Sequence, residues 1–338
     1  MTDTDPDIVV LRKGTEGLST AAYAEEIRER LPNHETVHAR TVHQERDLIE
    51  RARVATGISI DEELVQRAED LELFVVAASG YNHLPMESLS ARGVAVSNAA
   101  GIHAPGIAEQ AMGYCLSFAR RLHEGWERKR HNEWRHYKAT EFTGSTVTVV
   151  GLGAIGQELV QRLQGMDVHT IGVRYTPEKG GPTDEVIGFE EREFHEALSR
   201  TDYLVLSTPL TDVTRQLIGE VELATLPPQA VVVNVCRGPV IDTDALLSSL
   251  QKEDIRGAAM DVTDPEPLPP DHPLWDMRNV FITPHMGGHT PKHWERLADI
   301  LEENVRKLDS GQFDGLRNQV NDPDALRAAE RVSAGPTD

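Results

Sequence analysis

The chain has 338 residues, of which 55 are acidic and 34 are basic, so its formal net charge is −21. This length suffices for two α/β domains, and the charge argues against nucleic acid or an anionic membrane as a partner. With only Cys115 and Cys236, no signal peptide and no apolar run near the roughly 20 residues that span a bilayer, we expect a cytoplasmic protein without a disulfide framework.

The first hundred residues alternate between strand signals and helix signals. Short apolar, β-branched runs predict strands at residues 8–11, 36–39, 54–56, 73–77 and 94–96. Amphipathic segments between them predict helices at residues 21–31, 45–51 and 61–68. Such alternation predicts a parallel sheet with helices on both faces.

Residues 107–122 then predict a long helix whose broad apolar surface indicates burial. A polar stretch with aromatic residues follows at 126–143. Next come a strand at 147–150, the turn Gly151-Leu152-Gly153-Ala154-Ile155-Gly156, a helix at 157–163 and a strand at 168–173. In this context the G-x-G-x-x-G pattern predicts a dinucleotide site, because it allows a tight turn and aims a helix N-terminus at a pyrophosphate.

The remainder of the chain continues the alternation. Strands are predicted at 203–207, 230–235, 255–260 and 280–283, and a final helix at 292–308. A polar tail, expected to be poorly ordered, begins at about Asn321.

Three of these later strands are each followed by a residue that suits catalysis, namely Arg237, Glu266 and His285. Ligands of open α/β sheets bind beyond the carboxyl ends of the strands, so the three are expected at one edge. Arginine can bind a carboxylate and polarise a carbonyl, histidine can donate a proton, and a carboxylate favours charged histidine. Singly, each could be an ordinary surface, loop or satisfied residue. Together they predict hydride transfer to a ketone that carries a carboxylate.

Over nearly its whole length the chain resembles the D-isomer-specific 2-hydroxyacid dehydrogenases. The segments that carry the resemblance are the glycine turn, Ala78-Ser79-Gly80-Tyr81-Asn82, Ser207-Thr208-Pro209-Leu210-Thr211, Asn234-Val235-Cys236-Arg237-Gly238, Asp261-Val262-Thr263-Asp264-Pro265-Glu266-Pro267-Leu268 and Thr283-Pro284-His285.

The resemblance implies an α/β fold of two doubly wound parallel sheets, with a Rossmann cofactor domain inserted into a flavodoxin-like substrate domain. The cofactor domain would span residues 104–288, and the substrate domain residues 1–103 and 289–338. The resemblance also implies a homodimer and assigns catalysis to Arg237, Glu266 and His285. The substrate would be a 2-ketoacid or a D-2-hydroxyacid.

The resemblance further implies two sets of binding residues. The substrate would be held by Ser79, Gly80, Arg237 and His285. The nicotinamide cofactor would be held by Gly151, Leu152, Gly153, Ala154, Ile155, Gly156, Arg174, Tyr175, Thr176, Thr208, Pro209, Thr214, Val235, Cys236, Asp261, Gly287 and Gly288.

The residue after the second strand of the glycine unit decides between the two nicotinamide cofactors. NAD sites usually place an acidic residue there to bind the ribose hydroxyls. This chain has Arg174, which would attract a 2′-phosphate and leave those hydroxyls without an acceptor. We therefore predict a preference for NADP(H) over NAD(H), with a solvent-facing Arg174 and dual specificity as the alternative.

Several functional alternatives stay open. The substrate side chain is not encoded in these motifs, so a glyoxylate or hydroxypyruvate reductase that uses both cofactors is possible. A nucleotide-sensing corepressor on the same fold is a second alternative, against which the acidic surface argues. A phosphonate or formate dehydrogenase of the same superfamily is a third, although formate enzymes resemble a variant in which the carboxylate found here as Glu266 is replaced. His285, His289 and His293 are spaced by four, but Pro284 and Pro291 interrupt the stretch, so no metal site is predicted.

The basic residues are almost all arginine, with 7 lysines among the 34. An acidic excess spread along the chain with little lysine suits a cytoplasm rich in salt, which screens self-repulsion. We therefore hypothesise a halophilic origin.

Overall fold

The computed structural model describes residues 6–15, 17–313 and 315–323. The chain divides into two compact units. The second unit is His103–Thr290, and the first contains the chain before it, up to Ile102, together with the chain from Pro291 onward. The second unit is therefore inserted into the sequence of the first. Their assignment as cofactor and substrate domains stays a prediction.

The first unit is built on a five-stranded sheet in the order β2-β1-β3-β4-β5, in which every strand pair is parallel. This is the flavodoxin-like order. Its strands are β1 Ile8–Val10, β2 Thr36–His38, β3 Val54–Gly57, β4 Leu73–Val76 and β5 Ala95–Ser97. Its helices are α1 Thr20–Arg30, α2 Val42–Ile49, α3 Glu62–Arg67, α4 Met86–Ala91 and α11 His293–Asp309.

Alternate side chains of β1 enter two different cores of this unit. Ile8 and Val10 belong to a cluster with residues of α1 and α11, whereas Val9 belongs to a cluster with residues of α2 and α3. Tyr23 of α1 stacks on Trp294 of α11, with ring centroids 4.6 Å apart. The chain that follows the second unit thus completes the core of the first.

The second unit is built on a seven-stranded parallel sheet in the order β12-β11-β10-β9-β6-β7-β8. The strand order reverses at β6 and β9, as in a Rossmann fold. Its strands are β6 Thr146–Val150, β7 His169–Val173, β8 Glu185–Ile187, β9 Tyr203–Leu206, β10 Val231–Asn234, β11 Gly257–Met260 and β12 Val280–Ile282. Its helices are α5 Ala104–Arg120, α6 Leu122–Arg130, α7 Ala154–Leu163, α8 Glu191–Leu198, α9 Glu220–Thr225 and α10 Thr243–Gln251.

The two sheets confirm the predicted fold, but some predicted bounds were wrong. The helix expected at 107–122 begins at Ala104 and ends at Arg120, because Arg121 adopts a left-handed conformation that separates α5 from α6. The helix expected from residue 157 begins at Ala154, inside the glycine motif. β8, α4, α6, α8, α9 and α10 were not predicted.

The expected disorder of the tail is wrong at its first residue. The Asn321 side chain accepts the Val96 N–H at 2.7 Å and donates to the Val94 carbonyl at 2.9 Å, which ties it to β5. Residues 324–338 lie outside the described part of the chain. No helix within the described residues is long and apolar enough to cross a membrane.

Candidate active site and cofactor cleft

The glycine turn between β6 and α7 has the geometry that a pyrophosphate site requires. Gly151 has φ +100°, and a Cβ there would lie 2.8 Å from the main chain of Ser207. A Cβ on Gly156 would lie 2.0 Å from the Gly151 carbonyl oxygen. A Cβ on Gly153 would meet no atom within 4 Å, so space is open over the start of α7. Two glycines are thus required by packing, and the middle one leaves room for a ligand.

A cleft of about 570 Å³ lies beside this turn, within the second unit. That volume lies in the range of small-molecule and cofactor sites. Nine of the predicted cofactor residues line it: Gly151, Leu152, Gly153, Arg174, Tyr175, Thr176, Thr208, Pro209 and Thr214. The other predicted cofactor residues are elsewhere in the unit: Ala154, Ile155, Gly156, Val235, Cys236, Asp261, Gly287 and Gly288.

Arg174 lies at the carboxyl end of β7 and lines the cleft. Its Nη1 donates to the Gly180 carbonyl at 2.5 Å, which folds the side chain onto the loop between β7 and β8. The same loop brings the exposed Lys179 to the cleft. Sequence reasoning missed Lys179, because nothing in the pattern shows how this loop folds. The exposed Asp212 also lines the cleft and offers an opposing negative charge.

The loop after β9 forms another wall of the cleft. Thr214 is buried, and its hydroxyl donates to the Pro209 carbonyl at 2.6 Å. The Thr211 N–H donates to the Thr214 oxygen at 2.8 Å. Thr214 therefore shapes the loop around Pro209.

Glu266 and His285 come together, as the strand-end argument predicts. His285 Nδ1 lies 2.6 Å from Glu266 Oε1, and the two side chains are 48% and 41% exposed. His285 has φ +51°, a conformation uncommon for a residue other than glycine. Its N–H donates to the Asp261 carbonyl at 2.8 Å, which helps to hold that conformation.

Asp261 is 3% exposed and binds the loop that carries His285. Its Oδ1 accepts from the Thr283 hydroxyl at 2.5 Å and from the Met286 N–H at 3.0 Å. Its Oδ2 accepts the Gly287 N–H at 2.9 Å. The predicted contact of Asp261 with the cofactor stays a prediction. The sequence did not show its role within the protein, because that role depends on the pairing of β11 with β12.

Arg237 is exposed after β10, and its Nη1 donates to the Cys236 carbonyl at 2.6 Å. The next residue, Gly238, packs against the segment that leads to Glu266. A Cβ at Gly238 would lie 1.9 Å from the Thr263 carbonyl oxygen. The structure thus brings the arginine loop against the carboxylate loop, although the Arg237 side chain itself is bonded within its own loop.

Cys236 is a buried thiol at the end of β10. Burial raises its pKa to about 11, and its Sγ lies 3.1 Å from Asn234 Oδ1. Such a thiol stays protonated near neutral pH and is a poor nucleophile.

The predicted substrate residues of the first unit follow β4. The Ser79 carbonyl accepts from Asn98 Nδ2 at 2.7 Å. Gly80 is exposed, and a Cβ there would meet no atom within 4 Å. The Ser79 hydroxyl also donates to the Ala99 carbonyl at 3.5 Å, and the Ala99 N–H donates to the Ala78 carbonyl at 3.0 Å. This segment is therefore held by the chain that follows β5, while Gly80 is open to a ligand.

The three histidines spaced by four do not share a helix face. His285 and His289 precede α11, whereas His293 is its first residue and is buried. Among the described residues, no group of three or more His, Cys, Asp or Glu side chains is arranged to hold a metal ion.

Comparison with known proteins gives one family. A family model described as "D-isomer specific 2-hydroxyacid dehydrogenase, NAD binding domain" matches residues 112–287. The chain is 33% identical over 273 residues to a D-3-phosphoglycerate dehydrogenase of Methanocaldococcus jannaschii, a match that covers 80% of this chain and 51% of that protein. The chain therefore spans only about half the length of that relative.

A second curated relative is matched over more of its length. The chain is 32% identical over 263 residues to a glyoxylate reductase of Thermococcus litoralis, covering 75% of this chain and 78% of that protein. Among solved structures, a D-isomer specific 2-hydroxyacid dehydrogenase of Xanthobacter autotrophicus Py2 in complex with NADPH and MES is 25% identical. That match covers 96% of this chain and 100% of that one, with a TM-score of 0.73.

Proposed function

Because this chain belongs to the D-isomer-specific 2-hydroxyacid dehydrogenase family, we propose that it reduces 2-ketocarboxylic acids with NADP(H) and runs reversibly as a D-2-hydroxyacid dehydrogenase. The observation that carries the proposal is the 2.6 Å contact between His285 Nδ1 and Glu266 Oε1. An acid–base histidine needs a ring held in one orientation and a partner for its positive charge, and a carboxylate at this distance supports both roles.

Each of the three predicted catalytic residues has its own role in this proposal. His285 donates a proton to the substrate carbonyl oxygen in reduction and removes it in oxidation. Glu266 orients the imidazole and stabilises its charged form. Arg237 binds the substrate carboxylate and polarises the carbonyl.

A nicotinamide dinucleotide, when bound, supplies the hydride that reaches C2 of the substrate. The glycine turn and the cleft beside it suit such a molecule, because Gly153 leaves open space over α7 and the cleft holds about 570 Å³. Gly151, Gly153 and the first turn of α7 would bind its pyrophosphate through main-chain N–H groups. Thr208 and Pro209 would border it on the other side.

The preference for NADP(H) rests on charge at the end of β7. Arg174 and Lys179 both line the cleft, and no acidic residue takes the position after β7. Two cations suit a 2′-phosphate. The exposed Asp212 lines the same cleft and partly offsets their positive charge.

A panel of 2-ketoacids assayed with NADPH and with NADH tests this proposal. Glyoxylate, hydroxypyruvate, pyruvate and longer aliphatic ketoacids share the carboxylate and carbonyl that the proposal requires. We expect saturable reduction of at least one of them, a higher kcat/KM with NADPH, and a D-configured product. The absence of turnover across the panel would refute the activity, and a clear NADH preference would refute the cofactor assignment alone.

We also propose that the protein works as a homodimer. Helix α6 and the segment that follows it expose two large aromatic side chains. The side chain of Trp126 is 66% exposed and that of Trp134 is 99% exposed. Tryptophan is enriched at protein–protein contact surfaces relative to the rest of the surface. Light scattering of the protein and of a Trp134→Ala variant tests this assignment, with a monomeric mass for the unaltered protein as the contrary result.

A further inference from the structure

A hydrogen-bonded chain of side chains joins helix α5 to the loop that carries His285. Gln110 Nε2 lies 2.8 Å from the Tyr114 hydroxyl oxygen. The Tyr114 hydroxyl is hydrogen-bonded to Thr283 Oγ1. Thr283 Oγ1 in turn lies 2.5 Å from Asp261 Oδ1. All four residues belong to the second unit.

The chemistry of these groups determines which atom is the donor in each hydrogen bond of the series. The Asp261 carboxylate can only accept, so the single hydroxyl proton of Thr283 points to it. Thr283 must then accept from Tyr114, and Tyr114 must accept from the Gln110 amide. Each proton in the series points toward Asp261, and the Gln110 amide also donates directly to Thr283 Oγ1, at the longer distance of 3.4 Å.

Asp261, the last acceptor in this series of hydrogen bonds, also binds the loop that carries His285. Asp261 accepts the N–H groups of Met286 and Gly287 through its carboxylate and that of His285 through its carbonyl. Since His285 has φ +51°, its backbone conformation depends on the contacts that surround it. A change in how Thr283 meets Asp261 therefore acts on the conformation of His285.

We propose that Tyr114, with Gln110 behind it, is a positioning residue that sets His285 for proton transfer by acting through Thr283 and Asp261. This inference rests on the proposed role of His285. Tyr114 is 7% exposed, and its ring stacks near that of Phe281 in β12, with centroids 6.2 Å apart. Burial raises the pKa of the Tyr114 hydroxyl, which favours the protonated form that donates to Thr283.

The test is Tyr114→Phe, which removes one hydroxyl and keeps the ring. Misplacing a proton donor lowers the rate of the chemical step more than it weakens binding. We expect kcat for ketoacid reduction to fall roughly five- to tenfold, while KM for ketoacid and for nicotinamide change less than about twofold. An unchanged kcat, or a loss carried entirely by KM, would overturn the inference.

Tyr203→Phe is the matched control. Tyr203 is also buried in this unit, and its hydroxyl accepts from Arg256 Nη2 at 3.0 Å, away from the His285 loop. We expect it to lower thermal stability without lowering kcat. An equal loss of kcat in both variants would show that Tyr114 acts through stability alone.

A double variant distinguishes a failure of this inference from a failure of the proposed function. Tyr114→Phe is also made in a His285→Asn chain, where we expect its effect on the residual rate to disappear, since the positioned group is gone. If His285→Asn alone leaves reduction intact, the proposed role of His285 fails. If His285→Asn is impaired but Tyr114→Phe still lowers the rate by the same factor, only the positioning role fails.

If Tyr114→Phe does not fold, Gln110→Met provides a second test of the inference. It keeps the Tyr114 hydroxyl and removes the amide that donates to this hydroxyl and, at 3.4 Å, to Thr283 Oγ1. We therefore expect a smaller fall of kcat in the same direction, roughly two- to threefold. An unchanged kcat in this variant would count against the chain of hydrogen bonds.

Discussion

His285 Nδ1 lies 2.6 Å from Glu266 Oε1, although 19 residues separate them in the chain. This contact occupies one ring nitrogen and leaves Nε2 as the nitrogen that can exchange a proton with a substrate. Both side chains are about half exposed, so solvent reaches the pair and weakens its electrostatic coupling.

We predict that Glu266→Gln moves the pH profile of ketoacid reduction. The amide cannot accept a charge-assisted hydrogen bond from a protonated imidazole, so the reductive activity should fall off at a lower pH than in the unaltered protein. Initial rates from pH 5 to pH 9 measure this. Asp264→Asn, on the same exposed loop, is the control and should leave the profile in place. An unmoved profile in Glu266→Gln would remove this residue from the proposed role.

We predict that Arg174→Asp reverses the cofactor preference. A carboxylate at this position would repel a 2′-phosphate and accept from the ribose hydroxyls, so the ratio of kcat/KM for NADPH to that for NADH should fall roughly a hundredfold. Lys179→Ala should lower the same ratio by only about threefold, since Lys179 is exposed.

The binding of 2′-phospho-ADP-ribose and of ADP-ribose, measured by calorimetry, provides a readout of these variants that is independent of turnover. Lys252→Ala, at the end of α10, is the control for Lys179. Equal losses for the two ligands would show that the two cations act on the shared pyrophosphate and not on the 2′-phosphate.

The strands and the His285–Glu266 contact were predictable from the sequence for a physical reason. Buried parallel strands are short apolar runs, and their carboxyl ends share an edge of the sheet, so residues that follow them become neighbours. The positions of Glu266 and His285 after two successive strands were therefore enough to predict that these two residues lie close together. The same reasoning does not extend to Arg237, whose side chain bonds within its own loop.

Features that depend on loop conformation or on contacts between elements were not predictable in this way. Lys179 enters the cleft through a loop stabilised by the Arg174–Gly180 hydrogen bond, which no periodicity encodes. Asp261 bonds the loop after β12 only once β11 and β12 are paired. Asn321 is in a polar tail by composition, yet its amide bonds the main chain of β5. Helix α10 did leave a signal, since Asp242 caps it by accepting the Ala245 N–H.

We predict that neither cysteine reacts with iodoacetamide in the folded protein at pH 8. Burial raises the pKa of Cys115 to about 12 and that of Cys236 to about 11, so the reactive thiolate is scarce at that pH. Mass spectrometry after alkylation measures this, and the same reaction in denaturant, where both thiols should be labelled, is the control. Rapid single labelling of the folded protein would show that one thiol is accessible.

We predict that Glu185→Gln destabilises the second unit in a pH-dependent manner. Hydrogen bonds from Arg200 and His169 lower the pKa of Glu185 to about 2. A lowered pKa stabilises the fold fully above the ordinary value near 4.5, and that contribution is lost as the pH falls toward 2. The difference in Tm between the two proteins, roughly 2–4 °C, should thus be constant above pH 5 and shrink at pH 4. Glu141→Gln, an exposed carboxylate, is the control, and a difference that grows toward acid would contradict the assignment.

We predict that stability rises with salt concentration. Many ion pairs in the described residues are at least partly exposed, for example Arg67 with Glu50, and pairs of this kind contribute little and weaken in salt. The net charge of −21 acts in the opposite direction, because its self-repulsion is relieved as the Debye length falls from about 10 Å at 0.1 M to about 3 Å at 1 M. Relief of the repulsion summed over the whole surface should exceed the loss from individual ion pairs.

Thermal unfolding from 0.1 M to 3 M KCl measures which of the two effects on stability is larger, with sucrose as a control for excluded-solute effects. A Tm that is flat or falls over that range would show that the acidic surface is not an adaptation to salt.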